Sequence, residues 1–191
     1  MSGKNRPKKG GTERMTMDEQ LLKVQMDKLA IMELPALYMR GLDRLDRDLL
    51  RAQFWDDAYM DYGIYAGDAD GFCDFCMAAL ADHDRNQHMI GQNIIEVEGD
   101  TAFGEVYFQA YHRVRSDQGE LRDIFICGRY ADRYEKRDGI WKFSYRSEIV
   151  DWARDDPATD GFLEGSGNIW GERKPDDPIY NRAAMARPEN I

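Results

Sequence analysis

Two histidines and one aspartate raise the chemical question in this chain of 191 residues. His112 lies in the run Thr101–Arg115, where alternation puts Ala102, Gly104, Val106, Phe108, Ala110, His112 and Val114 on one face. That face is small and apolar, so it should point inward and bury His112. His88 lies in the preceding run and shares a face with Ile90, Gln92 and Ile94. Two imidazoles on neighbouring strands can look into one cavity and act as acid or base. Spacing alone favours the plainer reading, hydrogen-bonded histidines of a core or rim. Asp43 falls near the C-terminal end of a helical pattern, where the helix dipole disfavours a carboxylate. An imidazole N–H or an arginine would compensate; a solvated helix end, with Arg44, Asp46 and Arg47 following, is the plainer alternative. Tyr38 lies five residues earlier, rotated by about 140° on an ideal helix. A kink or local distortion would be needed to bring both to one pocket, and alone Tyr38 reads as core.

Other motifs carry less. Cys73-x-x-Cys76 has no second ligand pair and lies in an apolar helical pattern, so packing is the better reading. His83 and His88 straddle a helix end and a strand, which disfavours a shared metal. There is no His-Glu-x-x-His, no Gly-x-Ser-x-Gly and no P-loop. Arg129, Arg133 and Arg146 fall within strands, where exposed charge ladders are the ordinary outcome.

The elements that must position these residues follow from pattern. Thr16 or Asp18 can cap a helix, and Leu22, Met26, Leu29, Ala30, Leu34, Leu37, Tyr38, Gly41, Leu42 and Leu45 then recur at helical spacing. Pro35 should kink or split that helix. A short helix is expected over Arg47–Phe54, a strand over Ala58–Tyr65, and a third helix over Phe72–Ala81. Four long β-type runs follow: Gln87–Glu98, Thr101–Arg115, Leu121–Lys136 and Ile140–Trp152. They are separated by Gly with Asp or Ser, which is hairpin chemistry. Helices followed by an antiparallel meander make an α+β fold. Strands of this length must curl, and a curled sheet closed by helices encloses a conical cavity suited to a small apolar ligand.

Composition bounds the function. Apolar residues are 42% and charged residues 32%, ordinary for a globular domain, and no apolar run approaches the ~20 residues of a membrane span. The net charge is −10, but residues 1–14 carry net +4, leaving −14 on the rest. Such a body repels nucleic acid and anionic membrane. Three cysteines make no disulfide framework, and no secretory signal is visible, so a cytoplasmic protein is expected. The expected organisation is a disordered basic tail over 1–15, a domain over 16–152, and an irregular extension over 153–191. That extension would pack on the body or a neighbouring subunit through Trp170 and Tyr180.

The stretch DKLAIMELPALYMRGLDRLDRDLLRAQFWDDAYMDYG resembles the first helices and strand of SnoaL-like proteins in the NTF2-like superfamily. GRYADRYEKRDGIWKFSYRSEIVDW resembles the last hairpin of the same fold. The resemblance implies an NTF2-like cone over roughly residues 20–152. Relatives such as scytalone dehydratase, bile-acid 7α-dehydratase and hexachlorocyclohexane dehydrochlorinase are lyases that use no cofactor and share an Asp–His pair. By that resemblance Asp43 and His88 match the dyad, and Tyr38, His112 and Arg146 match groups that bind or polarise substrate. Simple alternation, however, puts Arg146 on a face with Lys142, Ser144 and Glu148, which leaves its direction open.

The function these readings imply is a cofactor-free lyase. His88 would take a proton, with Asp43 fixing its tautomer, and water or another group would leave a hydroxylated aromatic or polycyclic molecule. A retro-aldol, formaldehyde-releasing reaction and a SnoaL-type cyclase or isomerase are variants on the same site. A non-catalytic β subunit of an aromatic-ring-hydroxylating dioxygenase and a small-ligand carrier are the alternatives from other classes. No metal is expected. A homodimer or homotrimer is expected, built on an outer sheet face bearing Phe103, Tyr107, Tyr111 and Phe125.

Overall fold

The computed structural model describes residues 15–185; the basic tail expected at the N-terminus lies outside them, apart from Met15. Helix α1 (Met17–Asp43) opens with a capping box, in which Thr16 Oγ1 accepts from the Glu19 main-chain N–H and Glu19 accepts from the Thr16 N–H. It runs unbroken through Pro35, which is buried, so the expected split does not occur. Its first half bears apolar side chains that no described residue covers: Leu22, Met26 and Leu29 stay about 60% exposed, and burial is sustained only from Ile31 onward. Helix α2 (Arg47–Arg51) folds back on α1, with Asp46 capping through the Leu49 N–H. The approach is close at Gly41, where a Cβ would lie 2.9 Å from the Leu50 backbone. Gly41→Ala should therefore add about 1–3 kcal/mol of overpacking strain against at most about 1 kcal/mol of helix propensity. Thermal melting should show a lower Tm; a higher one would contradict this packing.

Strand β1 spans Phe54–Asp61, β2 Ala66–Asp68, α3 Ala69–Ala81, β3 Arg85–Glu98, β4 Thr101–Arg115, β5 Leu121–Arg137 and β6 Ile140–Pro157. Two-residue turns join β3 to β4 and β5 to β6. In the second, Asp138 and Gly139 both take positive φ, the requirement of a type I′ turn. The six strands form one open sheet in the order β2-β1-β6-β5-β4-β3. The meander β3–β6 is antiparallel, as expected, and the sheet as a whole is mixed because β1 runs parallel to β6. A β1-to-β6 pairing joins segments with the whole meander between them, and no turn dictates its direction.

Three irregularities re-aim side chains. Opposite Val106 and Phe108, β3 carries an extra residue between Ile90 and Asn93. Beyond it, Ile95 is buried while Gln92 and Ile94, expected on the face of His88, are exposed. In β6, Tyr134 pairs with Phe143 and Arg133 with Tyr145, so Ser144 is bulged. The phase flips there, and Arg146 and Glu148 turn inward. A second bulge skips Asp151 near Gly128, where a Cβ would collide with the Ile149 carbonyl.

The C-terminal segment lies on the body. Arg113 Nη1 donates to Asp160, Arg85 stacks over Trp170, Lys174 pairs with Asp46, Arg44 with Asp177, and the Tyr180 hydroxyl donates to Asp46.

Candidate active site

Asp43 is the last residue of α1, and β3 passes beside it. The Asp43 carboxylate accepts the main-chain N–H of His88 at 3.0 and 3.1 Å, and its Oδ1 lies 2.7 Å from His88 Nδ1. Both side chains are buried, at 6% and 10% exposure. An ionised carboxylate only accepts, so the neutral imidazole carries its proton on Nδ1. Its Nε2 lone pair then points away from Asp43.

His88 lines a hollow of about 340 Å³ that Asp43 does not reach. Tyr38, Tyr62, Phe72, Phe108 and Tyr130 form its aromatic wall, and Cys76, Leu80, Ala110 and Ile126 add to the apolar lining. His83, His112 and Glu148 supply the polar groups, and Ile64, largely exposed, marks the mouth. A wider groove of about 620 Å³ lies on the opposite side of the pair, where Asp43 meets Arg40, Arg44 and Asp177. His88 lines both spaces, with Nδ1 turned to Asp43.

Tyr38 reaches the hollow and Asp43 stays behind it, so no distortion of α1 is needed. His88 carries the influence of the carboxylate across. The Tyr38 and Tyr62 hydroxyls lie 2.8 Å apart. Burial raises both phenols, with Tyr130, well above the usual tyrosine range, so they act as neutral hydrogen-bonding groups.

His112 is buried, with its ring centroid 5.1 Å from that of His88. Burial, then His88, His83 and Arg173, push it down to about 3, so it stays neutral at ordinary pH. Its Nδ1 contacts the Asn86 side chain at 3.1 Å.

Arg146 is turned inward by the Ser144 bulge, but it does not line the hollow. It lies one layer beneath, fully buried, with Nε and Nη2 each donating to Asp132 at 2.7 Å. The rings of Tyr130, Phe143 and Tyr38 pack over its guanidinium at 4.1–4.4 Å. Burial disfavours its charge, and the Asp132 carboxylate outweighs that, moving Arg146 upward overall. A direct grip on substrate, the role the resemblance implied, gives way to support of two wall tyrosines.

Sequence reasoning missed Glu148, Tyr62, Asn86 and Arg173. Glu148 faces the hollow by the same bulge and makes no side-chain hydrogen bond among the described residues. Burial raises its carboxyl above the usual range, against the opposing effects of His88 and Arg146. The cysteines of the Cys73/Cys76 pair are buried free thiols, both raised by burial, as helix packing predicts. Among the described residues no group of three or more His, Cys, Asp or Glu side chains is arranged to hold a metal ion, and no helix is long and apolar enough to cross a membrane.

The SnoaL-like domain family matches residues 25–147. Comparison with curated proteins finds no match. Among solved structures, a type 2 hexachlorocyclohexane dehydrochlorinase (LinA) is 21% identical, with a TM-score of 0.63 over 72% of this chain and 94% of its own. A candidate scytalone dehydratase from Novosphingobium aromaticivorans is 22% identical, with a TM-score of 0.61 over 75% and 94%. A candidate aromatic ring hydroxylase from a Novosphingobium aromaticivorans strain is also 22% identical, with a TM-score of 0.60 over 71% and 96%. At these identities the likeness is one of fold.

Proposed function

We propose that this chain, which belongs to the SnoaL-like domain family, is a cofactor-independent lyase acting on a hydroxylated aromatic or polycyclic small molecule. One observation carries the reading: a buried imidazole whose Nδ1 is held 2.7 Å from a carboxylate, on a residue that lines an aromatic hollow. His88 takes a carbon-bound proton through Nε2, and Asp43 stabilises the imidazolium that forms. The electron pair left on carbon becomes a double bond as the neighbouring C–O bond breaks. Glu148, whose carboxyl burial raises above the usual range, gives a proton to the departing oxygen, which leaves as water. Solvent then returns a proton to Glu148 and removes one from His88. The apolar wall excludes water and strengthens each of these interactions.

The same base could take a proton from a hydroxyl and break a C–C bond, releasing formaldehyde. Incubating the purified protein with hydroxylated aryl and polycyclic ketones, with no cofactor added, separates the cases. A product lighter by one water supports dehydration, and formaldehyde identifies the C–C variant. Binding with no consumption would leave a carrier and overturn the lyase reading.

The role of Glu148 has its own test. Glu148→Gln should lower dehydration of a β-hydroxy ketone by about 10²–10⁴-fold, the usual contribution of a general acid. The loss should be much smaller for the matching β-chloro ketone, because chloride departs without a proton. Equal losses on both would assign Glu148 to packing or binding.

A further inference from the structure

Arg173 stands in the irregular C-terminal segment, yet its guanidinium reaches the back of the site. Nη1 donates to the Asp43 carbonyl at 2.6 Å, and Nη2 lies 3.3 Å from the His83 carbonyl and 3.5 Å from that of Leu80. These carbonyls stand at the C-terminal ends of α1 and α3, where helices leave acceptors unpaired and favour a cation. The guanidinium also faces Asn86. Arginine has only donors, so the Asn86 side-chain oxygen must turn toward it, at 2.8 and 3.1 Å. The Asn86 amide nitrogen, with two N–H groups and no lone pair to offer, then faces three acceptors that share them: His83 Nδ1 at 2.8 Å, the Arg85 carbonyl at 2.9 Å and His112 Nδ1 at 3.1 Å.

A ring nitrogen that accepts carries no proton. A neutral His112 accepting at Nδ1 therefore holds its proton on Nε2, which makes no hydrogen bond among the described residues, and the ring lines the hollow. We propose that Arg173, acting through Asn86, fixes His112 as the Nε2–H tautomer and so makes it a hydrogen-bond donor to substrate oxygen. His88 is held the opposite way by Asp43, proton on Nδ1 and lone pair on Nε2. Two adjacent imidazoles thus present one acceptor and one donor to the same hollow. That pairing suits a substrate with a carbonyl oxygen next to the carbon that loses its proton: His88 takes the proton while His112 donates to the oxygen as negative charge builds there. The use of the tautomer rests on the lyase reading; the tautomer itself does not. Arg173 is on this account a positioning residue, and the C-terminal segment is part of the site.

Long-range nitrogen–proton NMR correlation on the isotopically labelled full chain reads each histidine's tautomer without any substrate. His112 should appear as Nε2–H at neutral pH. Arg173→Met, which keeps length and loses the donors, should abolish that single state, and Arg173→Lys should partly restore it. Asn86→Asp offers only acceptors and should place a proton on His112 Nδ1. If Arg173→Met does not fold, Asn86→Asp decides alone. A wild-type His112 protonated on Nδ1, or an Nε2–H state unmoved by Asn86→Asp, would overturn the assignment. Absence of lyase activity with the tautomers as stated would count against the proposed reaction and leave the relay intact.

Discussion

His88→Ala should slow the opening of nitrobenzisoxazole by about 10²–10⁴-fold, the ordinary contribution of a positioned base. This aromatic probe needs only a base: one C–H proton is taken, the N–O bond breaks, and a coloured phenolate is released. It suits a hollow walled by Tyr38, Phe72, Phe108 and Tyr130. Asp43→Asn should cost nearly as much for a different reason. The amide would present its own N–H to His88 Nδ1 and drive the imidazole proton to Nε2, leaving no lone pair in the hollow. It would also weaken the two contacts from the His88 main-chain N–H, so circular dichroism must accompany the assay. A folded His88→Ala protein that opens the probe at the wild-type rate would remove His88 from the chemistry.

The largest stability effect is expected at Arg146 and Asp132, both fully shielded from solvent. Removing one partner leaves a buried charge without compensation. Arg146→Met or Asp132→Asn should each cost about 3–5 kcal/mol in urea unfolding. Asp132→Asn also disturbs Tyr134, whose hydroxyl donates to Asp132 at 2.7 Å. The double variant removes both charges and should lose far less than the sum of the singles. Strict additivity would show that the pair does not act as a unit.

How much of this could be read in the sequence varied with the kind of signal. The strands stood out where Gly and Asp marked hairpins, and Thr101–Arg115 was delimited to the residue. His112 was placed inward because its strand alternates without interruption. The direction of Arg146 stayed open and Glu148 went unremarked because alternation assumes a regular ladder, and a bulge at Ser144 reverses the side chains between it and the next bulge at Asp151. The same holds for Gln92 and Ile94 past the irregularity in β3. The apparent conflict between Tyr38 and Asp43 dissolved once His88 was seen to stand between them. Arg173 and Asn86 had no periodic or motif signal at all, since their meeting depends on where an irregular segment comes to rest. The N-terminal half of α1 carries a helical apolar pattern that the described residues leave exposed.

The central claim is that His88 removes a proton from carbon inside the hollow. Deuterium exchange from heavy water into the activated C–H of β-tetralone, a bicyclic aromatic ketone, measures that step with no leaving group involved. The account predicts exchange well above the buffer rate for the wild-type protein and near the buffer rate for His88→Ala. Equal exchange by the two proteins, or none above buffer by wild type while the ketone occupies the hollow, would contradict it.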